Sequence, residues 1–87
     1  MKDYELVPMV GLELFREDYN TNLQYYRNLS RLTQSRLAER SGVNVRMIQH
    51  YEQGIKDINK AQALTVQKLA KALNTTVENL LETKQEP

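Results

Sequence analysis

Five residues at fixed intervals, Ala38, Gly42, Val43, Ile48 and Tyr51, constrain the fold of this 87-residue chain more than any other feature. Two helices that cross at a steep angle need a small side chain where they approach, and Ala38 supplies it. The tight turn between them needs a residue that tolerates positive φ, which is the role of Gly42. The second helix must then bury an inward-facing pair three residues apart, Ile48 and Tyr51, beneath the first. That leaves Val45, Arg46, Gln49 and His50, its first turn and outer face, directed away from the core.

The flanking sequence reads as helix on both sides. Thr33 is a natural N-cap for a helix over residues 34–40, with Leu37 and Ala38 inward, that stops at Ser41-Gly42. Asn44 caps the next helix, to residue 53, and Gly54 ends it. A loop over residues 55–60 leads to a fourth helix in which Val66, Leu69, Ala70 and Leu73 keep an i, i+3, i+4, i+7 stripe, with Asn74 as its stop. Thr76 caps a short fifth helix whose Val77, Leu80 and Leu81 face the core. Before the pair, residues 14–32 place Leu23, Tyr26 and Leu29 or Ser30 at helical spacing, with Asn20 or Thr21 as an interior cap. This is either one long helix or a short one preceded by a turn. The fold class is all-α, with five short helices and tight connections.

A helix presented this way fits the roughly 12 Å major groove of B-DNA. The stretch LTQSRLAERSGVNVRMIQHYEQG over residues 32–54, followed by KLAKALNTTVENLLE over residues 68–82, resembles the lambda-repressor/Cro-type helix-turn-helix family, also called the xenobiotic-response-element family. The resemblance covers about residues 21–82, with the motif at 34–53. It implies a five-helix lambda-repressor-like DNA-binding domain.

The site residues follow from that resemblance. Val45, Arg46, Gln49 and His50 match the base-reading positions. Arg46 is the strongest of these, because a guanidinium pairs bidentately with guanine O6 and N7, worth about 1–3 kcal/mol of discrimination. Gln49 suits adenine or a phosphate, and Val45 a thymine methyl. Gln34 matches the family's phosphate-contacting glutamine at the start of the second helix. The caps Thr33 and Asn44 stand with it, and Lys56 and Lys60 are further phosphate candidates. Arg36 and Arg40 flank the same face. Arg27 and Glu52 match a structural ion pair that ties the first helix to the third. Met47 departs from the family, which commonly has a small hydroxyl residue there; it either packs under the helix or touches a sugar.

Charge is divided along the chain. Residues 1–20 hold two basic and five acidic side chains, net −3, whereas residues 21–87 hold ten and six, net +4. An acidic arm over residues 1–20 therefore precedes a basic domain over 21–82, and residues 83–87 read as a frayed tail. One domain with one modest core is expected, without room for a separate sensing or catalytic lobe. There is no cysteine, and His50 is the only histidine, so neither a disulfide nor a Cys/His metal site is expected. Glu39, Glu52, Asp57, Glu78 and Glu82 read as ordinary helix and loop charges. With no phosphate loop or nucleophile signature, neither an enzyme nor a cofactor is expected. No apolar run or leader pattern points to a membrane, so a cytoplasmic location is expected. Tyr25 and Tyr26 are adjacent, about 100° apart on a helix, so one belongs to the core and the other to the surface.

These observations predict a sequence-specific regulator of transcription, a repressor that binds double-stranded DNA as a homodimer. Two alternatives keep the fold. One is an antitoxin- or phage-type regulator whose arm binds a partner protein; the other is a protein-interaction module that has lost DNA binding.

Overall fold

The α-helix starts, except the one after Gln62, are set by short polar side chains that take an orphan backbone N–H. The computed structural model describes residues 14–82, so residues 1–13 of the arm expected over 1–20, and the tail over 83–87, lie outside the described residues. Five α-helices are found among the described residues: α1 (Asn22–Leu29), α2 (Gln34–Ser41), α3 (Val45–Gln53), α4 (Ala63–Ala72) and α5 (Val77–Leu80). Single 3-10 turns at Arg16–Asp18 and Ile58–Lys60 complete the set, and no strand occurs among these residues. Thr21 accepts from Gln24 N–H (3.1 Å), Thr33 from Arg36 N–H (3.1 Å), Asn44 from Arg46 N–H (2.7 Å) and Thr76 from Asn79 N–H (3.2 Å).

The two readings of residues 14–32 resolve to a turn followed by a short helix, with Thr21 as its cap. Gln24 donates its N–H to the Thr21 hydroxyl, and its side-chain oxygen reaches back past the cap to accept from Asn20 N–H (2.9 Å). The expected apolar stripe on α1 needs a correction at its far end. Leu29 is 46% exposed and Ser30 is exposed as well. Arg31 takes a left-handed φ of 63° immediately afterwards, which turns the chain and brings Leu32 into the core in their place. Tyr26 packs on the core, while Tyr25 meets both Tyr26 (5.1 Å) and Tyr19 (5.8 Å) edge to face.

Helix ends use the residues that the backbone demands. Gly42 (φ 75°) ends α2 and Gly54 (φ 79°) ends α3. A Cβ on either would meet nothing within 4 Å, so glycine is there for its φ alone. Asn74 (φ 57°) reverses the chain after α4, helped by Thr75 N–H donating to Ala70 C=O (2.9 Å).

One core joins all five helices. Leu23 of α1, Leu37 of α2, Ile48 and Tyr51 of α3, Val66, Leu69 and Ala70 of α4, and Leu80 of α5 are buried in it. α2 packs on α3 and α4, α5 closes against α1 and α4, and α1 supports α3. Burying a single Leu or Ile side chain contributes about 1.5–3 kcal/mol, so this cluster is the main source of stability in so short a chain. Met47 is half-buried against it, as the packing reading of that residue expects.

Candidate nucleic-acid interface

α3 is amphipathic in a way that presents one face outward. Ile48 (0% exposed), Tyr51 (5%) and Glu52 (2%) point into the core. At 100° per residue, Arg46, Gln49 and His50 lie on the opposite side and flank. Arg46 is exposed, whereas Gln49, His50 and Val45 are half-buried. Gln53 is exposed on the same side, seven residues after Arg46. The positions expected from sequence end at His50 and omit Gln53, although the i, i+3, i+7 spacing of Arg46, Gln49 and Gln53 places all three on one face.

The caps divide their bonding between helix and surroundings. Thr33 and Asn44 each commit a side-chain oxygen to their own helix, as acceptor for Arg36 N–H and Arg46 N–H. What remains is the hydroxyl proton of Thr33 and the amide NH2 of Asn44, both donors. Behind each cap, the first N–H groups of the helix precede its first i→i−4 bond and face out along the axis. Donors of this kind at helix N-termini suit phosphate oxygens.

Gln34 has a partner that the sequence did not announce. Its Nε2 donates to Glu52 Oε1 (2.9 Å), so the side-chain nitrogen is held against a buried carboxylate. The same carboxylate takes Arg27 Nε (2.7 Å) and Nη2 (3.0 Å), and Arg27 Nη1 donates to Leu32 C=O (2.7 Å). α1, the start of α2 and α3 therefore meet at one anion. Fixing Gln34 in this way also fixes the first turn of α2.

The chain after α3 is tightly bonded. Ile55 and Lys56 both donate their N–H to His50 C=O (2.9 and 3.2 Å), and Asp57 caps the turn by accepting from Asn59 N–H (2.9 Å). Lys56 and Lys60 are exposed and line one shallow groove with Tyr51, Asp57 and Ala61. The two flanking arginines separate. Arg36 pairs with Glu39 on the exposed surface (3.0 Å), and Arg40 shares a groove with Lys68 and Lys71 beside α4.

Glu82 is not the ordinary solvated charge that its position suggests. Its carboxylate accepts from Asn22 N–H (2.5 Å) at the first turn of α1 and pairs with Arg16 (3.4 Å). Arg16 also bonds Asn22 Oδ1 and Tyr19 C=O (2.7 Å), so residues 16–19 are tied to the domain. No local pattern signals an acceptor sixty residues away.

Among the described residues no cluster of three or more His, Cys, Asp or Glu could hold a metal, and no helix is long and apolar enough to cross a membrane. A family model of helix-turn-helix domains matches residues 23–80, which spans α1 to α5. No curated protein and no solved structure matches the chain. The matched family is one of DNA-binding regulatory domains rather than of enzymes. With the match running through all five helices, and the crossed pair α2 and α3 at its centre, the chain belongs to the lambda-repressor/Cro-type helix-turn-helix family.

Proposed function

We propose that this protein is a sequence-specific transcriptional regulator, a repressor that works in the cytoplasm by occupying its operator. The observation that carries the reading is the division of α3. Ile48, Tyr51 and Glu52 anchor one side, and Arg46, Gln49 and His50 lie away from them. A helix held so rigidly can be laid in the major groove without losing order on binding. Arg46 reads guanine, Gln49 and His50 read neighbouring base edges, and Val45 meets a thymine methyl. Thr33, Asn44 and the backbone of Gln34 hold phosphates at the two helix starts, and Lys56 and Lys60 hold phosphate from the loop.

One such helix reads too few base pairs for useful discrimination. The protein therefore binds as a homodimer on a palindrome whose half-sites lie about one helical turn apart.

A salt titration of duplex affinity tests the DNA reading. Log affinity should fall linearly with log salt, at a slope of about −0.9 per phosphate neutralised. Absence of binding to any duplex at low salt would overturn it and leave a protein-interaction module.

A further inference from the structure

We propose that Asn59 is a positioning residue for phosphate contact, and that it holds the Lys56–Lys60 loop in its binding shape through a two-way clasp on the backbone of Glu82. The inference rests on the DNA-binding reading of that loop. It concerns how the loop is held ready rather than which groups touch DNA.

The side-chain amide of Asn59 bonds Glu82 in both directions. Nδ2 donates to Glu82 C=O (2.6 Å), and Oδ1 accepts from Glu82 N–H (2.8 Å). An amide has one donor and one acceptor group in a plane, so it can pair with a backbone much as a neighbouring strand would. The far end of the clasp is fixed as well. Besides the Glu82 carboxylate bonds to Asn22 and Arg16, Leu81 C=O accepts from Asn22 Nδ2 (2.7 Å).

On the loop side, Asn59 lies between the lysines and next to one of them. Ile58, 4% exposed, plugs the turn into the core, and Lys60 N–H donates to Asp57 C=O (2.9 Å). With Ile55 and Lys56 bonded to His50 at the near end, the clasp is the remaining tie that spans the middle of the loop. Without it, the segment between Asp57 and α4 is left to the apolar contacts of Ile58 and Ala61 with the core. A lysine on a pre-ordered loop gives up less entropy when it meets a phosphate than one on a loose loop.

The test uses the full chain and a labelled duplex of random sequence, about 30 base pairs long, because non-specific binding reports phosphate contact without needing the operator. Four proteins are compared at low salt: wild type, Asn59→Ala, the Lys56→Ala/Lys60→Ala pair, and the triple variant. Asn59→Ala should weaken binding about three- to tenfold in the wild-type background and change nothing in the background lacking both lysines. A merely structural role would give the same loss in both backgrounds. Circular dichroism establishes that each variant is folded at the assay temperature, and Asn59→Ser replaces the alanine variant if it is not. Wild-type affinity in Asn59→Ala, or an equal loss in both backgrounds, overturns the inference while leaving the DNA reading intact. A wild-type protein that binds no duplex overturns the DNA reading itself and the inference with it.

Discussion

Arg27 and Glu52 meet in a two-bonded ion pair, Nε to Oε2 at 2.7 Å and Nη2 to Oε1 at 3.0 Å, with side chains 12% and 2% exposed. So deep a pair adds little net stability compared with an apolar replacement, yet losing one member strands the other charge. Glu52→Ala should therefore lower the unfolding free energy by about 3–5 kcal/mol, measured by urea denaturation. Replacing both residues with apolar ones should recover much of that loss. A Glu52→Ala protein that keeps its stability but loses DNA affinity would show that the carboxylate serves binding rather than folding.

Gly42 ends α2 at φ 75° with open space where a Cβ would stand. Gly42→Ala should consequently be destabilising through the backbone alone, by about 1–2 kcal/mol. In a domain of this size that corresponds to a drop in melting temperature of roughly 4–8 °C per kcal/mol. Gly42→Asn should lose less, because asparagine tolerates the left-handed region better. Equal losses for alanine and asparagine would point instead to a contact at that position.

Ile48 and Arg46 share α3 but face opposite ways, so their truncations should separate cleanly. Ile48→Ala opens a cavity at a fully buried position and should cost about 2–5 kcal/mol in thermal or chemical unfolding. Arg46→Ala, at an exposed position, should leave stability within about 0.5 kcal/mol of wild type. It should instead lower the preference for the selected site by about 1–3 kcal/mol. Loss of stability in Arg46→Ala would place that side chain in the fold and not in the groove.

Asn44 offers a sharper separation, because its two side-chain atoms have different partners. Oδ1 caps α3 through Arg46 N–H, while the NH2 is left as a donor. Asn44→Asp keeps the acceptor and adds a charge that the helix N-terminus welcomes, so stability should hold or rise by a few tenths of a kcal/mol. The same change sets a carboxylate against phosphate, so duplex affinity should fall at every sequence tested. Unchanged affinity in a folded Asn44→Asp protein would remove Asn44 from the phosphate contacts.

Local signals carried the fold. Thr33, Asn44 and Thr76 cap the helices they were expected to cap, and Gly42, Gly54 and Asn74 end helices with positive φ, because capping and turning depend on neighbours in sequence. The inward faces of α3 and α4 were equally plain from helical periodicity. The failures come where the chain departs from a local rule. Leu29 keeps the helical spacing yet is exposed, because Arg31, a residue with no reputation for turning, takes a left-handed φ. The bonds from Gln34 to Glu52 and from Asn59 and Asn22 to Glu82 join positions 18, 23 and 60 residues apart. Polar side chains of these types are mostly solvated, so nothing short of the packed structure picks out the ones that are not. The base contacts proposed for Val45, Arg46, Gln49 and His50 rest on the resemblance, which names positions, whereas the operator decides which of them are used.

Laid in the major groove as proposed, α3 reads a particular DNA sequence. Selecting bound oligonucleotides from a random pool with the purified protein measures this directly. The expected result is an enriched inverted repeat, with half-sites centred about 10 base pairs or a multiple apart, that Arg46→Ala no longer enriches. A pool that stays uniform through successive rounds, with the protein folded and binding all duplexes alike, would contradict it.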